Sequence, residues 1–104
     1  MPYEDSLAAL ADPTRRHLFE MLAAEPMPVG ALADRLPVSR PAVSQHLKVL
    51  SDAGLVSVHP DGTRRIYSAR REGLSGLRAW IDRYWDEVLS GFQQEVTKQT
   101  GEDQ

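Results

Sequence analysis

Between Ser39 and Gly54 the chain reads SRPAVSQHLKVLSDAG, and its apolar positions Val43, Leu47 and Leu50 lie four and three residues apart. That spacing predicts one apolar stripe along a short helix covering 39–53. Both ends of the helix are marked. The Ser39 hydroxyl can accept from a free backbone N–H of the first turn, and Pro41 sits where a missing N–H costs nothing. Gly54 can take the left-handed conformation that closes a helix. The face opposite the stripe carries Arg40, Ser44, Gln45 and Lys48. None is a large hydrophobe, and each can hydrogen-bond a base edge or a phosphate. A narrow helix with such a face is what reading a major groove requires.

The neighbouring segments extend this pattern. Val29, Leu32, Ala33 and Leu36 predict a second short amphipathic helix ending at Pro37, joined to the first by a turn of about three residues, Pro37 to Ser39. After Gly54, LVSVH and RRIYSA read as strands, and Asp61-Gly62 between them is a strong hairpin signal. Helix, turn, helix and hairpin make a winged helix-turn-helix, with the wing at 59–65. Upstream, Tyr3 to Leu10 predicts a short helix. Asp12-Pro13 marks the start of another, running to about Ala24 with Leu18, Phe19 and Leu22 inward. Glu25-Pro26-Met27-Pro28 is expected as a loop. From about Glu72, Leu74, Leu77, Ile81, Trp85 (or Tyr84), Val88 and Phe92 recur at helical spacing, and Trp80 and Tyr84 broaden the apolar face. The expected fold is mainly α with a small β-hairpin, in the order α-α-α-α-β-β-α. It is one domain over 1–96, followed by a frayed polar tail over 97–104.

The strings ALADPTRRHLFEMLA, SRPAVSQHLKVLSDAGLV and DGTRRIYSARREGL resemble the ArsR/SmtB family of small bacterial repressors. The resemblance covers roughly Asp5 to Phe92. It is most specific at the Ser39–Gly54 string and next at Asp12–Arg15. It implies a sequence-specific DNA-binding repressor that forms a homodimer through its first and last helices. The apolar excess on the last helix, at Leu74, Leu77, Ile81, Tyr84, Trp85 and Val88, agrees with an interface of that kind.

Charge supports a nucleic-acid partner once it is read by position. The whole chain carries −3, yet from Arg35 to Arg71 seven basic residues face only Asp52 and Asp61. That segment is therefore +5 and the remainder −8. Local charge, not the global balance, sets the electrostatic footprint on double-stranded DNA. The residues expected to touch DNA are Ser39, Arg40, Pro41, Ser44, Gln45, Lys48, Arg64 and Arg65. Arg40 would favour guanine and Gln45 adenine by bidentate geometry, while Ser39 and Lys48 would hold phosphate. Adjacent strand residues point to opposite faces, so one of Arg64 and Arg65 is expected to reach DNA better than the other.

Candidate chemistry changes this picture little. The chain has no Cys and three His residues. His17 reads as a surface residue, His46 as a half-buried one hydrogen-bonded within the fold or else a DNA contact, and His59 as a plain edge-strand residue ahead of a phosphate contact. Members of the resembled family that sense metal place Cys in the helix before the recognition helix, where this chain has Pro28-Val29-Gly30-Ala31-Leu32. Others place Asp and His on the last helix, where Asp82, Asp86 and Glu87 stand without a His. The resemblance is thus to a metal-independent branch, with no metal, no cofactor and an unknown effector. No Gly-rich phosphate loop or nucleophile–base pairing suggests an enzyme. No apolar run approaches membrane-spanning length and no signal peptide precedes the first helix, so a cytoplasmic protein is expected. Two other readings stand beside the repressor. One is a winged-helix protein–protein module, which the basic recognition face disfavours. The other is a sensor that releases DNA when a small molecule enters the dimer interface.

Overall fold

The computed structural model describes the backbone of residues 2–102 and, within it, the side chains of residues 3–93. Five α-helices surround a small sheet: α1 (Pro2–Ala11), α2 (Pro13–Ala24), α3 (Val29–Asp34), α4 (Arg40–Asp52) and α5 (Ser75–Glu102). The strands are β1 (Met27–Pro28), β2 (Val56–Asp61) and β3 (Arg64–Ala69), and a 3-10 turn at Arg71–Leu74 leads into α5. The winged helix-turn-helix is present, with additions and shifts.

The first addition is β1. The expected loop at Glu25–Pro28 contains a two-residue strand that pairs antiparallel with β3, Met27 opposite Tyr67 and Pro28 opposite Ile66. The wing is therefore a three-stranded sheet in the order β1-β3-β2, not a lone hairpin. Met27 is buried in this pairing, so a strand too short to show a period is fixed by its partner. The second difference lies in the turn between α3 and α4. Helix α3 stops at Asp34, leaving Arg35 to Ser39 as the connection. Pro37 disfavours helical geometry at Leu36 before it, which lengthens the expected three-residue turn to five. The third is the 3-10 turn, which delays α5 until Ser75. The helical backbone of α5 continues to Glu102, while the side chains of the tail expected at 97–104 lie outside the described residues.

The core forms where the amphipathic faces meet. Ala9 of α1, Leu18 and Leu22 of α2, Leu32 of α3, Val43, Leu47 and Leu50 of α4, and Leu55 and Val56 at the start of the wing bury together. β2 lies against α4, whereas β3 packs chiefly against α2 and brings Tyr67 onto the core. Leu74 also packs on this core. It sits in the 3-10 turn rather than on α5, half-buried with one side against the protomer's core.

Two local devices tie the elements together. Asp12 caps α2, accepting from the backbone N–H of Thr14 (2.8 Å) and Arg15 (3.0 Å). The Arg15 guanidinium turns back to α1 and donates to the carbonyls of Ala9 (2.8 Å) and Ala8 (3.3 Å). The Asp12–Arg15 string thus starts one helix and closes the preceding one. The Arg15 N–H foremost, then that of Thr14, hold the Asp12 carboxyl below its ordinary value, against a partial opposition from desolvation. The second device is the joint between wing and α5. Gly73 lies so close to the Gly54–Leu55 turn that a Cβ there would fall 2.2 Å from the Gly54 carbonyl oxygen. The Gly73 carbonyl accepts from the buried Ser6 hydroxyl of α1 (2.9 Å).

Candidate nucleic-acid interface

Helix α4 presents the expected two faces. Val43, Leu47 and Leu50 are buried, while Arg40, Pro41, Ser44, Gln45 and Lys48 are exposed. The Ser39 hydroxyl accepts from the Ala42 N–H (3.3 Å), which makes it the N-cap. Its side chain therefore serves the helix first. Gly54 follows with φ +76°, as the helix end requires.

The wing rises beside this helix. Gly62 takes φ +64° in the tight turn, and the register sets Asp61 opposite Arg64 and Pro60 opposite Arg65. Both arginines are exposed. Between the wing, the first turns of α4 and helix α3 runs an open cleft of about 630 Å³. Arg40, Ser44, Arg64 and Arg65 all border it. Arg64 and Arg65 thus share one cleft although strand alternation sends them to opposite faces. Gln45 and Lys48 continue the exposed face of α4 outside it. The cleft also has lining that the sequence reading did not single out, including Gly30 and Asp34 of α3 and Thr63 of the turn. Arg40 lies back toward α3, where a Cβ on Gly30 would be 3.9 Å from its Cζ. Such contacts join residues distant in sequence, so no local pattern announces them.

The histidines have modest surroundings. His17 is exposed, with Nδ1 3.9 Å from the Glu20 carboxylate. His59 is exposed on the edge strand and shares a hydrogen bond with the Ser68 hydroxyl (3.2 Å), which in turn meets Ser57 (3.1 Å). His46 is half-buried as expected, but among the described residues it makes no hydrogen bond. Of the basic segment, Arg71 is engaged structurally, donating to the Ala23 carbonyl at the end of α2 (2.9 Å). Among the described residues no group of three or more His, Asp or Glu side chains converges as a metal would need. Nor is any helix there long and apolar enough to cross a membrane.

Helix α5 bears the second feature. Trp80 stacks on Tyr3 of α1 at 5.2 Å and meets Tyr84 edge-on at the same distance. Beyond them Ile81, Tyr84, Trp85, Val88, Leu89 and Phe92 are all between 46% and 64% exposed, and Leu7 of α1 is 47% exposed. Leu77 is half-buried. This is a long apolar surface that the protomer itself does not cover.

Comparison with known proteins agrees with this geometry. Residues 10–59 match a helix-turn-helix domain family. The chain is 57% identical over 86 residues to the HTH-type transcriptional regulator Rv2034 of Mycobacterium tuberculosis, covering 83% of this chain and 80% of that one. Its fold is similar to that of an ArsR-like transcriptional regulator from Rhodococcus sp. RHA1, with a TM-score of 0.75 and 32% identity over 89% and 91% of the two chains. The chain belongs to the ArsR family of winged helix-turn-helix regulators. A further similar structure is the homodimeric winged helix-turn-helix DNA-binding domain Mb0332 from Mycobacterium bovis, a possible ArsR-family regulator. It has a TM-score of 0.66 and 28% identity over 86% and 83% of the two chains. The protein is a DNA-binding transcriptional regulator, and α4 is the second helix of its helix-turn-helix.

Proposed function

We propose that this regulator is a homodimeric repressor of an inverted-repeat operator. Helix α4 enters the major groove, with Arg40, Ser44 and Gln45 toward base edges and Ser39, Pro41 and Lys48 along the backbone. Arg64 and Arg65 carry the wing onto the backbone or into the adjacent minor groove. The observation that carries this reading is the convergence of Arg40, Ser44, Arg64 and Arg65 on one cleft between α4 and the wing. Cations from two separate elements on one surface suit a curved polyanion, where phosphate contacts position and base contacts specify.

The dimer follows from the same geometry. One recognition helix spans only a few base pairs, so two protomers about a two-fold axis would place their α4 helices in successive major grooves about 34 Å apart. The exposed face of α5 suits that axis, and the neighbouring α1 adds an exposed Leu7. The homodimeric state of the similar domain from M. bovis supports the reading.

Replacing Ile81 by Asp tests it. A carboxylate buried without a partner at an interface costs several kcal/mol. Because Ile81 is 46% exposed in the protomer, the fold itself should tolerate the change. Ile81→Asp should sediment as a folded monomer and lose most specific operator affinity, with Arg40 and Gln45 intact. A folded monomer that keeps wild-type affinity would remove the dimer from the mechanism.

A further inference from the structure

The DNA-facing cleft contains one residue of the wrong charge. Asp34 borders it together with Arg40, Ser44, Thr63, Arg64 and Arg65. The others are donors, or hydroxyls that can donate; the Asp34 carboxylate can only accept. It is exposed, and among the described residues it makes no ion pair or hydrogen bond with the arginines around it. The fold gives no reason for it. Asp34 is the last residue of α3, the end at which a negative charge is disfavoured. It is also one helical turn from Gly30, over which the Arg40 guanidinium lies.

A lone carboxylate among cations and hydroxyls discriminates between the two things DNA offers. Phosphate oxygens are acceptors with negative charge, so they are repelled. An amino group on a base edge is a donor, and the major-groove partner suited to a carboxylate is cytosine N4. We propose that Asp34 is a specificity-determining residue, which disfavours phosphate in the cleft between α3, α4 and the wing and favours a cytosine amino group there. The inference rests on the reading that this cleft faces DNA. In non-specific complexes the arginines draw the backbone in, and Asp34 weakens that encounter. In the operator complex Arg40 is occupied by a base edge, and Asp34 meets a donor.

The test is Asp34→Asn, which keeps the shape and removes the charge. Two probes are used: a duplex selected by the wild-type protein from a random library, and a scrambled duplex of the same length. A unit charge about 6 Å from a phosphate in water changes binding about threefold, so a dimer should gain about tenfold on the scrambled duplex. The selected duplex should gain less, so discrimination falls. Selection repeated with the variant should lose a cytosine preference in each half-site. Asp34→Glu, which restores the charge, should recover discrimination. Circular dichroism confirms folding, and Asp34→Ala serves if the Asn variant does not fold.

Lys48→Ala separates the two layers of the argument. If Lys48→Ala weakens both probes while Asp34→Asn leaves their ratio within about twofold and the selected sequence unchanged, the interface stands and the role of Asp34 is overturned. If neither Lys48→Ala nor Arg64→Ala, the latter within the cleft, alters either probe, the assignment of this face to DNA fails, and the inference fails with it.

Discussion

Gly73 offers a direct test of how the DNA-facing part is joined to α5. Replacing it by Ala puts a methyl carbon 2.2 Å from the Gly54 carbonyl oxygen, 2.8 Å from its carbonyl carbon and 3.1 Å from Leu55 Cα. Ordinary carbon–oxygen contacts begin at ~3.3 Å, so the two walls must part by about 1 Å. Neither wall is free to yield. Leu55 is fully buried, its N–H bonds Leu50 (2.9 Å), and its carbonyl accepts from Arg70 (2.7 Å). On the other side Gly73 donates to the Arg70 carbonyl (3.0 Å) and accepts from Ser6 (2.9 Å). Overpacking of this kind costs about 3 kcal/mol, the upper part of the usual range, because backbone and not a side-chain tip must move. For a domain of this size that lowers the melting temperature by about 12–24 °C. Thermal unfolding followed by circular dichroism measures it, at one fixed protein concentration because a dimer's transition depends on concentration. Gly54→Asn is the matched control. Gly54 has φ +76° but nothing within 4 Å of its Cβ position, and Asn takes that left-handed backbone at a strain cost of about 1 kcal/mol, so this variant should be destabilised clearly less than Gly73→Ala. Operator affinity of Gly73→Ala should fall as well, since the turn sets how α5 is carried relative to α4. A Gly73→Ala protein melting within about 2 °C of wild type would refute the steric argument.

Three further outcomes are expected. Arg40→Ala and Gln45→Ala should each cost about 1–3 kcal/mol on the operator and relax base preference, whereas Arg64→Ala should weaken all duplexes alike and flatten the salt slope by about one unit. Operator titration across a salt series distinguishes them, and a Gln45→Ala variant with wild-type affinity would displace α4 from the groove. Because Asp12 has a lowered pKa in the folded state, its stabilisation is complete above the unfolded carboxylate value of about 3.9 and is lost as pH falls through the lower folded value. The stability gap between wild type and Asp12→Asn should therefore close on acidification, and a gap that widens would contradict the capping assignment. Zinc, cadmium or a chelator should leave operator affinity unchanged, given a chain without Cys and no convergent metal-ligand group among the described residues. Stoichiometric release by metal, reversed by chelation, would overturn that.

Much of this architecture was legible in the sequence where one segment decides its own conformation. Ser39, Pro41 and the Val43–Leu47–Leu50 stripe determine α4, and Asp61-Gly62 determines the hairpin turn, because caps, periodicity and positive-φ positions are local. The strand at Met27–Pro28 was not legible, since two residues with one proline become a strand only when β3 is alongside. Leu74 fits the helical period of the residues after it, yet the 3-10 turn directs it inward. The site divides in the same way. Arg40, Ser44 and the two wing arginines carry their chemistry openly, but Asp34 joins them only in a neighbourhood made by three elements at once. The expected hydrogen bond of His46 failed for a related reason, because half-burial predicts a need for partners and not their presence.

The order of the strands has a bearing on life at high concentration. With β1 on one side of β3 and β2 on the other, the sheet's longer open edge is β2. An open edge is a template on which another chain can add, and a protein that exposes one risks being drawn into aggregates. Here β2 ends in Pro60 and Asp61. The proline offers no N–H to an incoming strand, and the carboxylate resists a close neighbour. The wing can therefore stand out from the body while giving a stray strand little to hold.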